Sequence, residues 1–329
     1  DTVARQLLRS EAVASSRIEG LLLSHRRLAK ASAAPDSDIN AYSVLGNVAA
    51  IEAAYEIARS DQPFSTEVFQ RIHHRLFEGT RDEALGGIVR QRQNWLGGDA
   101  TSPLNADFVP PPETEVERLL DDLAAFCNRR DLPPVLQAAV AHAQYETIHP
   151  FIDGNGRVGR ALVQVVLRRR GVAARFVPPV SIVLAARPAA YVEGLVVFRE
   201  GHVADWIGSF ASGVARAAAA SIELADQVAA LQVAWRERAG RPRAGSAASK
   251  LSALLPARPV LSAPAARAAI GGSQQQTLAA LKALAEAGVI RQLSAGTYDR
   301  QYAASELFDL LTAYEEGIVG SIRSARPTP

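Results

Sequence analysis

His149-Pro150-Phe151-Ile152-Asp153-Gly154-Asn155-Gly156-Arg157-Val158-Gly159-Arg160 brings a histidine, a carboxylate, a Gly-Asn-Gly turn and two arginines into one short run. Val135 to Ile148, before it, is rich in alanine and aliphatic residues at helical spacing. Val158 to Arg170, after it, is again helical in pattern and ends in Arg168-Arg169-Arg170 ahead of Gly171. Basic residues in a last turn followed by glycine are a helix stop signal. The run therefore reads as a tight loop joining two helices, its glycines at the start of the second.

The chemistry follows from that placement. Pro150 disfavours the α region for His149, so His149 closes the first helix and its ring is free to face the loop. Gly154 and Gly156 can take positive φ, which lets successive backbone N–H groups point into one concavity. A helix N-terminus behind such a nest favours an anion through its dipole and its unpaired donors. Arg157 and Arg160 are three apart and share a helix face, and guanidinium groups suit phosphate oxygens. Asp153 is placed to hold a hard divalent cation that bridges phosphates. Each feature alone is ordinary. Together they supply different parts of one reaction, a phosphoryl or nucleotidyl transfer in which a hydroxyl is deprotonated as it attacks phosphorus. Because His149 lies at a helix C-terminus, its protonated form is expected to be favoured, and activity to rise with pH through the histidine range.

The run resembles, position for position, the HPFx(D/E)GNGRxxR signature of Fic-domain proteins, which mostly transfer AMP from ATP to a protein hydroxyl. The resemblance implies that His149 is the general base, Phe151 an apolar anchor, and Asp153 the Mg²⁺ ligand. It implies that Gly154, Asn155 and Gly156 bind the α- and β-phosphates, that Arg157 also contacts phosphates, and that Arg160 holds the γ-phosphate. The related Doc branch, which phosphorylates its targets, departs from the Gly-Asn-Gly-Arg pattern. This chain keeps it, which favours AMP transfer.

Residues 1–30 read as one helix, with Leu7, Leu8, Glu11, Ala14, Ile18, Leu21, Leu22 and His25 recurring at three- and four-residue steps. Within it, Ser15-Ser16-Arg17-Ile18-Glu19-Gly20 resembles the (S/T)xxxE(G/N) inhibitory helix of autoinhibited Fic proteins. That likeness implies a pair between Glu19 and Arg160, with Ser15 as the first motif residue. Gly20 is read as clearance for the helix to approach the cradle.

Asn40–Arg59, Phe64–Phe77 and Thr114–Cys127 are helical in pattern. His73 and His74 are read as packing or surface residues, since no partner follows at metal-ligand spacing. Gly86 to Pro112 breaks the pattern with Gly86-Gly87, Gly97-Gly98 and Pro110-Pro111-Pro112, and Ile88/Arg90/Arg92 and Phe108/Val109 suggest short strands around a long turn. In Fic proteins this region is a flap that pairs with the target by strand addition. Further on, Tyr191 and Leu195 are implied by the family as liners of an adenine pocket, with plain core packing as the other reading. A helix runs from Val203 to Arg238.

Residues 239–248 read as a linker and 249–329 as a second unit. A capping box at Ser273/Gln276 starts a helix ending near Ala287. Helix, helix, helix and a hairpin over Val289–Leu293 and Tyr298–Ala303 resemble a winged helix-turn-helix domain exposing Gln274, Gln275, Thr277 and Lys282. Residues 241–303 carry eight Arg/Lys against two acids, a net of +6 in a chain whose total is only +2. That concentration, with glutamines able to pair with adenine edges, is the ground for a DNA partner through residues 249–303. Protein docking or dimer packing is the competing use, because fold does not set role.

With 329 residues, 48% of them hydrophobic, the chain can bury a sizeable core. Cys127 is its only cysteine, which excludes an internal disulfide and suits a reducing compartment. No apolar run approaches membrane-spanning length and no signal-peptide pattern opens the chain, so the expected location is cytoplasmic. The sequence contains no methionine, and its natural start is expected to lie outside it. The reading is a mainly α protein: a Fic-type helical core over 1–238 with an inhibitory helix near 1–30 and a small β-hairpin flap near 86–112, then a winged helix. The expected activity is AMP transfer from ATP, with Mg²⁺ as cofactor, to a target protein docked on the flap; a homodimer is a further partner reading, and no membrane is expected. The alternatives are a winged-helix regulator using the core as a nucleotide sensor, or an enzyme moving another phosphate-linked group.

Overall fold

The helix that follows the motif, α7 (Asn155–Arg169), is buried from Arg157 through Leu167, and the remaining elements are arranged to cover it. The computed structural model describes residues 2–33, 38–99, 101–172, 176–293 and 300–324. Before α7 come α1 (Thr2–Ile18), α2 (His25–Ala33), α3 (Ile39–Arg59), α4 (Thr66–Phe77), α5 (Glu113–Asn128) and α6 (Pro134–Ile148). After it come α8 (Val180–Ala186), α9 (Pro188–Arg199) and α10 (Val203–Arg238). α6 and α3 pack directly on α7. Gly159 makes that approach feasible, because a Cβ there would run into the Glu146 carboxyl and the Tyr145 ring on α6. Phe69, Tyr145, Phe151 and Leu162 fill the core around this contact.

The N-terminal segment is two helices where the sequence predicts one. α1 stops at Ile18 because Gly20 takes φ +80°. Leu21 N–H then bonds back to the Ser16 carbonyl and Gly20 N–H to the Arg17 carbonyl, a Schellman closure. A Cβ on Gly20 would meet nothing within 4 Å. Gly20 is therefore a left-handed cap, and the clearance role read from the sequence is corrected.

The flap between α4 and α5 is a hairpin closed by antiparallel bridges at Leu96↔Phe108 and Asp99↔Ser102. The expected strand at Ile88–Arg92 has no strand partner among the described residues; Arg90 N–H bonds instead to the Pro150 carbonyl at 2.9 Å.

The C-terminal unit comprises α11 (Ala247–Leu254), β1 (Val260–Ser262), α12 (Ala263–Ile270), α13 (Gln274–Glu286), β2 (Arg291–Gln292), β3 (Gln301–Ala303) and α14 (Ser305–Ser324). Its sheet has the order β1-β3-β2, with Leu261 opposite Tyr302 and Gln292 opposite Tyr302 on the other edge. The capping box at Ser273/Gln276 is present. Thr277, expected on the exposed face of α13, is 1% exposed, its hydroxyl turned back to the Ser273 carbonyl; Gln274, Gln275 and Lys282 are exposed. The hairpin turn at 294–296 and Tyr298 lie outside the described residues. β1 and α14 were not anticipated: β1 is only three residues long, and the apolar face of α14 has no cap signal before it.

The 239–248 linker separates the sequence but not the core. Trp235 near the end of α10, Leu7 and Ala14 of α1, and Ile182 of α8 share one apolar cluster with Leu251, Leu284, Leu307 and Leu311. The Trp235 indole N–H donates to Glu306 Oε2 at 2.7 Å. Among the described residues no single helix is long and apolar enough to cross a membrane. Trp235→Ala, emptying a fully buried indole site at this junction, should lower unfolding free energy by about 3–5 kcal/mol, read as a fall in the urea midpoint at unchanged m-value.

Candidate active site

α6 ends at His149, which adopts the left-handed conformation at φ 50°, ψ 60° while its N–H still bonds to the Tyr145 carbonyl. A non-glycine residue there costs on the order of 1 kcal/mol, so the surroundings must hold it. Arg90, buried at 2% exposure, does so. Its Nε donates to the His149 carbonyl at 2.9 Å, its Nη1 to the Arg92 carbonyl, and its Nη2 to the Pro111 and Ile148 carbonyls. One guanidinium thus fastens the base of the flap to the loop between α6 and α7. Sequence reasoning took Arg90 for an alternating strand residue. The available signal is a basic residue between Val89 and Gln91 in a glycine-bounded run, too weak to single it out.

The loop is closed from within. Asn155 accepts from Phe151 N–H at 2.9 Å and donates to the Phe151 carbonyl at 2.7 Å, so both ends of its side chain are engaged with the loop itself. Phe151 is fully buried and stacks on His73 at 3.7 Å. His73 Nδ1 accepts from Gly87 N–H, which leaves Nε2–H to donate to the Asp153 carbonyl at 2.9 Å. Burial pushes His73 down to about 4, so this neutral tautomer persists. Of the two histidines, His73 packs and His74 lies at the surface.

Gly154 takes φ +79° as N-cap of α7 and makes no side-chain cap. The first N–H groups of α7 thus lack an internal partner and point into the concavity. Gly156, free to take positive φ, is helical. Its lack of a side chain matters for a different reason: a Cβ there would collide with Glu19 Oε1 and crowd the Arg160 guanidinium. The Glu19 carboxylate therefore stands over the start of α7, where an anion belongs.

Arg160 is 3% exposed. Its Nη2 donates to Glu19 Oε1 at 2.6 Å and to the Ser15 carbonyl at 2.9 Å, and its Nε donates to Ser15 Oγ at 2.9 Å. Burial opposes the charge on both partners, but their mutual attraction overcomes it, raising Arg160 and lowering Glu19 from their ordinary values. Ser15, Glu19 and Arg160 thus meet as the sequence anticipates, with Gly20 turning the chain just beyond. Arg157 lies 5.5 Å over the Phe77 ring, and its buried Nε has no partner among the described residues. Asp153 spends Oδ1 on Gly154 N–H and is 3.5 Å from Arg157 through Oδ2, with 61% of its side chain exposed. No group of three His, Cys, Asp or Glu able to hold a metal occurs among the described residues. A Mg²⁺ ion fits here only through Asp153, its other ligands being phosphate oxygens and waters.

His149 is pushed down to about 4, first by burial and then by Arg90 and Arg199, while the Glu146 carbonyl and Glu19 act the other way. The helix-terminus expectation of a favoured protonated form is thereby corrected: desolvation outweighs the dipole, and the imidazole is uncharged at neutral pH, with one ring nitrogen free to accept a proton. Behind the site, His142 Nε2 lies 2.9 Å from the Tyr191 hydroxyl, and that hydroxyl abuts Arg160. Tyr191 and Leu195 are buried at 7% and 6% exposure. Glu146, wholly buried with Oε1 unpartnered, is pushed up to about 7 by burial.

The sequence profile of the Fic/DOC family matches residues 63–167. A protein adenylyltransferase Fic of Drosophila erecta is 33% identical over 137 residues, which are 41% of this chain and 25% of that relative. A Fic family protein from Desulfovibrio desulfuricans G20 superposes with TM-score 0.53 at 20% identity, over 91% of this chain and 87% of that one. A Fic domain-containing signaling protein from Bacteroides thetaiotaomicron VPI-5482 gives 0.55 at 19%, over 66% and 86%. Residues 63–167 thus match the Fic/DOC profile, and the aligned segment is about a quarter of the length of the Drosophila relative.

Folded chain keeps a proton on Glu146 up to about pH 7 that the unfolded chain releases near 4.5. Stability supplied by the neutral acid is full below 4.5 and is lost as pH rises through 7. Between pH 5 and pH 8 the wild type should thus lose on the order of 3 kcal/mol relative to Glu146→Gln, measured as diverging urea midpoints.

Proposed function

We propose that this Fic domain transfers AMP from ATP to a hydroxyl side chain of a target protein, and that Glu19 holds it in check. The observation that carries the reading is the Glu19 carboxylate paired with Arg160 over the uncapped start of α7. A carboxylate there occupies the position the cradle reserves for a phosphate.

In the active arrangement the α7 N–H groups, Arg157 and Arg160 bind the triphosphate, Arg160 through the γ-phosphate. Asp153, together with the phosphate oxygens, would hold Mg²⁺, which would neutralise charge on the phosphates when bound. His149 takes the proton of the target hydroxyl as its oxygen bonds to the α-phosphorus. The bond to the bridging oxygen breaks and pyrophosphate leaves. The flap, pinned by Arg90 beside His149, holds the target segment so that its hydroxyl meets the base. Glu19 opposes this by engaging the guanidinium that the γ-phosphate needs. Misplacing the α-phosphorus by about 1 Å costs on the order of 10²-fold in rate.

A second reading, DNA binding by the C-terminal unit, is favoured by the exposed Gln274, Gln275 and Lys282 on the capped α13. It is tested by duplex binding of the full chain, with affinity expected to fall steeply with salt. The isolated unit is unsuitable, since α1, α8 and α10 complete its core.

AMP incorporation from α-labelled ATP is expected to be near zero for wild type and raised by Glu19→Gly. Arg160→Ala should not reproduce that gain, because it removes the phosphate contact along with the brake. Adding His149→Ala to Glu19→Gly should reduce transfer by about 10²–10⁴-fold. Glu19→Gly no faster than wild type would make Glu19 an ordinary helix-end residue, and label arriving only from the γ-position would replace AMP by phosphate.

In the Glu19→Gly protein the acid limb of kcat/KM should fall below the ordinary histidine value of 6.5, with its midpoint near 4 or lower, since loss of Glu19 removes a charge that raises His149. A midpoint at 6.5 or above would mean that His149 is not held desolvated.

A further inference from the structure

We infer that the junction of α1, α2 and β1 is a second phosphate-binding site, separate from the motif cradle. Arg5 and Arg9 lie one turn apart on α1 and so share a face. Arg258, just before β1, is brought against them because α1 docks there: Gln6 Nε2 donates to the Pro256 carbonyl at 2.5 Å. The three arginines line a cavity of about 370 Å³ with Ala29, Ser32 and Pro259.

Their charges are not matched. None of the three takes part in an ion pair among the described residues, whereas nearby Arg17 meets Glu315 and Arg27 meets Asp38. Arg9 Nη1 is buried with no hydrogen-bond partner. The charges that face Arg9 are Arg5 and Arg258, of like sign, and Glu52 opposite. Burial and then Arg5 lower its pKa, in keeping with a guanidinium short of anions. A buried donor without an acceptor, and converging like charges, each destabilise the fold. An oxyanion removes both penalties together. Guanidinium groups reaching in from α1 (Arg5, Arg9) and from just before β1 (Arg258) suit a tetrahedral phosphate better than a planar carboxylate. The cavity exceeds what one phosphate fills, and Ala29, Pro259 and Val260 form an apolar wall for whatever the phosphate is attached to.

The phosphate belongs either to a small ester or to the backbone of duplex DNA held by the C-terminal unit. In both cases it ties α1, the helix that presents Ser15 and Glu19, to that unit. The site stands independently of the transfer reaction.

The test uses the full chain with Arg157→Ala as parent, which cripples the motif cradle, in phosphate-free buffer. The probes are inorganic phosphate and a duplex of arbitrary sequence. Arg5→Gln and Arg258→Gln alter exposed side chains and should leave the fold intact. If a small ester is the source, calorimetry should show phosphate binding that weakens roughly tenfold or more in each variant, as expected for a lost charge-assisted bond. If DNA is the source, duplex affinity should fall instead, with the slope of log K against log salt shallower by about one per charge removed. Arg9→Gln should raise the melting temperature without ligand and abolish the rise caused by the probe that binds. The proposal is overturned if neither probe binds, or if both bind Arg5→Gln and Arg258→Gln as tightly as the parent.

Discussion

A guanidinium removed from water must find a counter-charge and acceptors for its N–H groups, and Arg160 imposes that requirement on the whole structure. It sits on the most buried helix, so its partners must come to it. They arrive at the C-terminal end of α1, Ser15 on its last turn by hydroxyl and carbonyl and Glu19 just past it by carboxylate. That explains why α1 must end where it does. One more helical turn would carry the chain past Arg160. The left-handed Gly20 turns it away once Glu19 has been delivered.

α1 is in turn held from three sides. Asn47 on α3 donates to the Ala12 carbonyl and to Ser16 Oγ. Ser181 on α8 donates through N–H and hydroxyl to Glu11, which burial pushes up to about 7. From the C-terminal unit, Glu315 on α14 accepts from Arg17 at 2.8 Å and lies 2.6 Å from His25 Nε2. Arg17 is two residues before Glu19. The C-terminal unit therefore grips the segment that meets Arg160, and the two units are tied together through the partly buried Arg17–Glu315–His25 cluster.

Burial also sets the protonation of the site. His142, His149 and His73 are driven down to about 3 to 4 while Glu146 rises to about 7. At neutral pH these three histidines are uncharged, and the fixed charges near the loop include Arg90, Arg157, Arg160 and Arg199, faced by Asp153, Glu19, Asp82 and Glu113. The guanidinium groups of Arg157 and Arg160 are buried at the cradle, and Glu19 is the carboxylate paired with Arg160. A basic, desolvated cavity over an uncapped helix start is suited to a polyanion.

The sequence by itself determined the loop between two helices, the clustering of Asp153, Arg157 and Arg160, the glycine at positive φ before α7, the capping box of α13 and the Glu19–Arg160 pair. Those features rest on local rules, fixed spacing or a long signature, and survive without knowledge of packing. Tertiary structure alone decided the rest. It broke the N-terminal helix, because Gly20 is needed as a cap rather than as clearance. It made Gly156 a matter of space rather than of φ, since the crowding atom is Glu19, far away in sequence. It turned Asn155 inward to staple the loop and recruited Arg90 to hold a left-handed histidine. It moved His149 from protonated to neutral, because desolvation depends on what every neighbouring element excludes from the ring, and no local pattern encodes that.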